Sequence, residues 1–288
     1  MPAIELSIIT IGYASQETLP GLLKSINEQI GCTIEFIYVE NSPKLSSAPI
    51  VKEYYPSAMI IEPGDNLGFS KGCNLAAREA HGEYLLFLNP DCEIQTENTL
   101  TLMLQFMRKH PDVGICGPIF MDAAGQMKSG AHFDYFGEEC AFNDFASLPG
   151  EIAWMSGAAL MMSKQLFNDL NGFDERYFMY SEDVDICLTA RQAGFLIAEV
   201  PNTKIMHLGG ASSKKVWSNL ETMFCAEVAL GIFTAKHYPE KHHKRIWRRR
   251  LSKYIFGLLR TFLFRYTTRY PHYLARFRAS RLILSKIR

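Results

Sequence analysis

The chain has 288 residues, a length that suits one core domain of about 200 residues plus an appendage. Hydrophobic residues make up 48% and charged residues 21%, which excludes wholesale disorder and fibrous repeats. The 30 basic and 30 acidic residues cancel overall, yet Lys236–Arg288 holds 16 Lys and Arg against one acid, Glu240, so a body of net −15 carries a tail of net +15.

Such a tail seeks a polyanion, with anionic lipid and nucleic acid as the two candidates. Seven scattered cysteines (Cys140 among them) form no CxxC pair, which argues against a disulfide framework or a zinc site and for a reducing compartment. The opening MPAIELSIITIGY has no basic n-region and no cleavage site, so no signal peptide is expected. The longest apolar stretch, Tyr254–Phe264, is broken by Arg260 and is too short to span a membrane.

In chain order, Ile4–Ile11 reads as a strand and Gln16–Ile30 as a helix ended by Gly31. Thr33–Val39 is a second strand, stopped by Asn41-Ser42-Pro43. A helix follows over Pro49–Tyr55, then a strand over Ala58–Ile61, a small-residue helix over Ser70–Ala80 and a strand over Tyr84–Leu88. Thr96–His110 is a long helix and Val113–Pro118 a fifth strand. Met121–Pro149 has no clear period and reads as a loop region over the site. Ala153–Met162 reads as a buried strand, Ser163–Leu170 as a short helix, Glu182–Gly194 as a helix, Phe195–Val200 and Thr203–His207 as two strands, and Trp217–His237 as a helix. Alternating strands and helices imply a mainly parallel sheet covered on both faces, with ligands beyond the carboxyl ends of its strands.

Four stretches carry chemistry. In Leu88-Asn89-Pro90-Asp91 a strand runs into a carboxylate that can hold a hard cation against phosphate oxygens, although Asn-Pro-Asp is equally good turn chemistry. Ser181-Glu182-Asp183-Val184-Asp185 opens a helix, with Ser181 as the candidate N-cap. The helix dipole accounts for its acids, and so does a general base placed beside the aromatic run Tyr177-Phe178-Met179-Tyr180. His207 ends a strand before Leu208-Gly209-Gly210-Ala211-Ser212-Ser213, as a metal ligand or as a plain strand-end histidine. Gly64–Asn74 is a glycine-rich loop entering a helix. It is neither a P-loop nor GxGxxG, and it serves a phosphate or merely tight packing at Gly72.

Together with Val39-Glu40-Asn41-Ser42, Asn66-Leu67-Gly68-Phe69, Ser156-Gly157-Ala158 and Gly172-Phe173-Asp174-Glu175, these pieces resemble the inverting nucleotide-sugar glycosyltransferases of family 2, over about residues 4–213. The wording is most similar to the rhamnosyltransferase-type branch, which builds bacterial surface polysaccharides. The resemblance implies an α/β fold of the GT-A type with a mainly parallel sheet. Residues 1–215 would form the catalytic domain, split near 120 into nucleotide and acceptor halves, and 216–288 a basic helical extension.

By the same resemblance Asp183 is the catalytic base and Glu182 its orienting or acceptor-contacting partner. Asp91 and His207 hold Mg²⁺ or Mn²⁺, and Glu40, Asn41, Asn66, Asn89 and Asp91 bind a dTDP- or UDP-sugar. Two departures stand out: Asn89 replaces the first acid of the family's DXD element, and Glu40 replaces its usual Asp. They are the support for the other reading, a non-catalytic sugar-nucleotide or glycan-binding scaffold.

In the tail, Leu251, Tyr254, Ile255, Leu258, Leu259, Phe262 and Leu263 fall at helical spacing among Lys253, Arg260 and Arg265. That pattern fits a helix in an anionic membrane interface, where a lipid-linked glycan acceptor would be met at the cytoplasmic face. Packing on the catalytic body or an oligomer contact is the competing reading. Nucleic acid is the third and least favoured reading, and no nucleic-acid partner is expected, because no reading motif accompanies the charge.

Overall fold

The computed structural model describes residues 3–138, 145–209, 218–263 and 269–286. Cys140, the run from Gly210 to Ser213, Trp217, Phe264 and Arg265 lie outside the described residues. The chain runs β1 (Leu6–Gly12), α1 (Leu19–Asn27), β2 (Ile34–Glu40), α2 (Ala48–Tyr54), β3 (Met59–Ile61), α3 (Phe69–Glu79), β4 (Tyr84–Leu88), β5 (Cys92–Ile94) and α4 (Thr99–Lys109). It continues with β6 (Val113–Met121), β7 (Met127–Lys128), β8 (Ala131–His132), β9 (Trp154–Met155), β10 (Ala159–Ser163), α5 (Lys164–Asp169), α6 (Glu182–Gln192) and β11 (Leu196–His207). Three helices follow: α7 (Asn219–His237), α8 (Glu240–Leu263) and α9 (Tyr270–Lys286).

The main sheet has the order β3-β2-β1-β4-β10-β6-β11-β5, with β7 on β6. Pairs β1–β2, β1–β4, β2–β3 and β6–β11 are parallel, and β10 is antiparallel to both neighbours. This is the α/β, mainly parallel architecture that the alternation implies. All seven residues of β1 are buried, as a central strand covered on both faces requires. Leu19, Leu22, Leu23 and Ile26 of α1 pack on one face of the sheet, and Cys73, Ala76 and Ala77 of α3 on the other. The small residues of α3 let that helix lie close, with Gly72 against Ile11. The order of strands reverses between β1 and β4, the place where open sheets leave a crevice.

Several boundaries differ from the sequence reading. The span 153–162 is two strands rather than one, broken at Ser156-Gly157-Ala158 where the chain crosses from the β8–β9 ribbon into the main sheet. The two strands read over 195–207 are one, β11, with a register shift between Val200 and Lys204 and a left-handed Asn202. A β-bulge keeps such a strand continuous where periodicity breaks. The 121–149 loop region contains β7 and β8. Ser181 stands at the N-cap position, but it is left-handed and its side chain makes no cap bond.

The last three helices share a core with the body. Phe233, Trp247 and Ile283 pack with Tyr135, Tyr177 and Leu188. Buried Glu227 accepts from Arg250 Nε (3.1 Å) and Tyr254 Oη (2.7 Å) and faces Arg276, which ties α7, α8 and α9 together. Tyr254 is therefore inside, not on the apolar face that the spacing suggested, and Leu251 and Leu258 are half-buried. The exposed face of α8 carries Arg245, Arg248, Arg249 and Lys253 in its first half, then Ile255, Phe256, Leu259, Phe262 and Leu263, with Phe262 77% exposed. Among the described residues, no helix is long and apolar enough to cross a membrane.

Candidate active site

A cavity of about 320 Å³ opens at the β1–β4 crevice. β1 contributes Ile11 and the following Tyr13, and the end of β4 contributes Asn89, Pro90 and Asp91. The β9–β10 crossing adds Ser156, Gly157 and Ala158, α6 adds Glu182 and Asp183, and β11 adds His207. Asn41, Asn66, Gly68, Phe69 and the aromatic turn Phe178–Tyr180 complete the wall. Asp91 and Asp183, far apart in sequence, thus face one space. Of the eight site residues named from sequence, seven line it, and Glu40 does not.

Glu40 is buried and spends its carboxylate on the fold. Oε1 accepts from Ser42 N–H (2.9 Å), and Oε2 accepts from Ser47 N–H and lies near Tyr38 Oη. It shapes the loop after β2 rather than facing the cavity. Asn41 spans to the glycine-rich loop, donating to the Gly68 carbonyl (2.9 Å) and accepting from Leu67 N–H (3.4 Å). Asn66 Oδ1 accepts from Gly68 N–H at 2.9 Å. Gly68 has φ +78°, and a Cβ there would sit 2.5 Å from the Phe178 carbonyl, so only glycine lets this loop touch the aromatic turn. The next residue, Phe69, donates its N–H to that carbonyl at 2.8 Å.

The acids of α6 are held differently. Asp183 Oδ2 accepts from Gly157 N–H (2.8 Å) and Oδ1 from Val184 N–H (2.9 Å). Burial pushes its carboxyl above the ordinary range, and those two amides act in the opposite direction. Glu182 is more deeply buried, and burial, then the neighbouring Asp183 charge, push its carboxyl well up. Its Oε2 has no hydrogen-bond partner among the described residues. The acids enter α6 through Tyr180 (φ 75°) and Ser181 (φ 63°), two consecutive left-handed residues that cost about 1–3 kcal/mol each.

At the other wall His207 Nε2 lies 3.4 Å from Asp91 Oδ1, and Cys92 Sγ is near both. A carboxylate and an imidazole, with room left for phosphate oxygens, fit a divalent cation such as Mg²⁺ or Mn²⁺. Cys92 is a poorer ligand. It is fully buried, donates to the Ala158 carbonyl (3.4 Å), and burial raises its thiol well above the ordinary range.

Sequence reasoning left Gly157 and Tyr13 without a role and did not see the α7 side chains that reach α6. Gly157 stood in the quoted Ser156-Gly157-Ala158, the one signal that could have found it.

The family model described as Glycosyl transferase family 2 matches residues 7–170, and that described as Glycosyl transferase family group 2 matches residues 94–287. The chain is 24% identical over 232 residues to the N-acetylglucosaminyl-diphospho-decaprenol L-rhamnosyltransferase of Mycobacterium tuberculosis, covering 70% of this chain and 75% of that protein. It is 23% identical over 235 residues to the rhamnosyltransferase WbbL of Escherichia coli, covering 73% and 86%. In fold it is similar to a mannosyltransferase of Pyrobaculum calidifontis solved with GDP-Man and Mn²⁺. There the TM-score is 0.61 at 13% identity, over 99% of this chain and 88% of that one. The chain belongs to glycosyl transferase family 2 and has the GT-A fold.

Proposed function

We propose that this family 2 glycosyltransferase is a metal-dependent, inverting rhamnosyltransferase. It moves rhamnose from dTDP-rhamnose to a lipid-linked glycan in bacterial surface polysaccharide synthesis. The observation that carries the reading is the shared cavity, with Asp91 and His207 on one wall and Asp183 with Glu182 on the other. The rhamnosyltransferases among its relatives support the donor, and the lipid-diphosphate sugar in one relative's name supports the acceptor.

Asp183 takes the proton of the acceptor hydroxyl. Its raised affinity for protons makes it a better base than a solvated aspartate, and the two backbone amides fix its orientation. The deprotonated oxygen attacks the anomeric carbon from the face opposite the diphosphate, and configuration inverts. Glu182 offers an unpaired oxygen to an acceptor hydroxyl. Asn41 and Asn66 hold the loop that walls the nucleotide side. Asp91 and His207 would hold Mg²⁺ or Mn²⁺, which would supply Lewis-acid stabilisation of the leaving diphosphate. The basic-to-apolar face of α8 suits an anionic membrane surface, where such an acceptor resides.

Asp183→Asn abolishes transfer from dTDP-rhamnose, while calorimetry with Mn²⁺ shows donor affinity within twofold of wild type. Equal loss of binding and turnover would assign Asp183 a structural role and reject the reading.

A further inference from the structure

Asp185 closes the first turn of α6, two residues after Asp183. Helix polarity explains an exposed carboxylate there, but Asp185 is only 4% exposed. A buried carboxylate needs partners. Asp185 Oδ1 accepts from Tyr177 Oη (3.1 Å) and lies 2.7 Å from His237 Nε2, and Oδ2 accepts from Lys236 Nζ at 2.7 Å. Two of the three partners come from the end of α7, more than fifty residues downstream. The same Lys236 ammonium lies 3.1 Å from Asp174 Oδ2, and Asp174 is also paired with Arg176 at 2.6 Å.

This cluster sits under the strained entry to α6. Tyr180 and Ser181 are both left-handed, and Ser181 supplies no side-chain cap. Such a conformation persists only where its surroundings over-determine it. The pins are visible: Tyr177 is tied to Asp185 through its hydroxyl, Phe178 O accepts from Phe69 N–H, and Asp185 N–H donates to Ser181 O at 2.9 Å. Released, the turn would relax toward ordinary backbone angles and carry Glu182 and Asp183 with it.

We propose that Asp185, clamped by Lys236 and His237, is a positioning residue for glycosyl transfer, through which the C-terminal helices hold the acid-bearing start of α6 against the cavity. The tail then completes the active site besides serving as a surface for docking. The proposal rests on the reading of Asp183 as the base.

The test uses the full chain with Asp185→Asn, Lys236→Met and Lys236→Arg. Lys236 is partly exposed, so Lys236→Met keeps the test open should Asp185→Asn fold poorly. Three quantities are measured: backbone hydrogen exchange at residues 181–184, affinity for dTDP-rhamnose with Mn²⁺, and single-turnover transfer to a polyprenyl-diphospho-N-acetylglucosamine. Asp185→Asn and Lys236→Met accelerate exchange at 181–184 at least tenfold and leave it unchanged at 84–88. Donor affinity stays within twofold, and transfer drops about 10²-fold, the cost of an ångström of misplacement. Lys236→Arg restores both exchange and transfer. Unchanged exchange at 181–184 in both disabling variants overturns the proposal, as does donor affinity falling in step with transfer. Exchange needs neither donor nor turnover, so if Asp183→Asn still transfers at the wild-type rate, the base assignment fails by itself while the exchange result stands.

Discussion

Gly157→Ala is a graded probe of the proposed base, Asp183. The Gly157 N–H holds Asp183 Oδ2 at 2.8 Å, and a Cβ on residue 157 would stand 3.0 Å from both Asp183 Cβ and Oδ2. Ordinary contact begins at 3.4 Å, so the carboxylate must retreat by about 0.4 Å. It cannot retreat freely, because Val184 N–H holds the other oxygen. Gly157 does not have a positive φ, so alanine brings no backbone strain and the steric push is the whole perturbation. At about 10² in rate per ångström of misplacement, 0.4 Å corresponds to about sixfold, or about 1 kcal/mol in the barrier. Single-turnover transfer should therefore slow about sixfold with donor affinity unchanged, since residue 157 lies on the acid wall. Transfer at the wild-type rate with a normal melting temperature would refute the claim that Asp183 acts from the position that Gly157 fixes.

Glu182→Gln tests the unpaired carboxyl. Because the folded state raises its proton affinity, its contribution to wild-type stability is complete below the ordinary glutamate pKa and is lost as pH rises through the higher folded value. Glutamine removes that dependence. The melting temperature of the variant should gain on wild type between pH 5 and about pH 9, by about 2–4 °C for each kcal/mol recovered; a difference constant with pH would contradict the assignment. On α8, Phe256→Ser with Phe262→Ser removes two exposed rings and should weaken partition onto phosphatidylglycerol vesicles about 10²-fold, at about 1.5 kcal/mol per ring. Unchanged partition would reject membrane docking through this face.

The first half of the main sheet was legible because parallel strands write themselves as short β-branched runs with a turn after each. β1, β2 and β4 and the residues beyond them follow from that rule. The break at Ser156-Gly157-Ala158 was not legible, since an apolar run through 153–162 looks the same whether it serves one sheet or two. Tyr254 was misplaced because helical spacing identifies a face but not its partner. The ring lies inward, where Glu227 takes its hydroxyl. Lys236 and His237 could not be linked to Asp185, because no periodicity relates a helix end to a carboxylate fifty residues earlier.

Burial alone does not separate the acids of this site, because Glu40, Asp91, Glu182 and Asp185 are all buried. What separates them is how their lone pairs are spent. A buried oxygen that accepts from the fold's own amides away from the cavity shapes its loop, since leaving it unpaired would cost about 1–3 kcal/mol, whereas on the cavity wall the same bonds orient Asp183. Glu40 is such a case, with both oxygens given to its own loop and none to the cavity. Asp185 gives its oxygens to side chains of another element and so transmits position. Glu182 alone of these four keeps a buried oxygen with no partner among the described residues, on a residue that lines the cavity. An unpaired buried oxygen is costly to the fold, and the proposed reading accounts for this one as a contact to the acceptor, opposite the wall that carries Asp91 and His207.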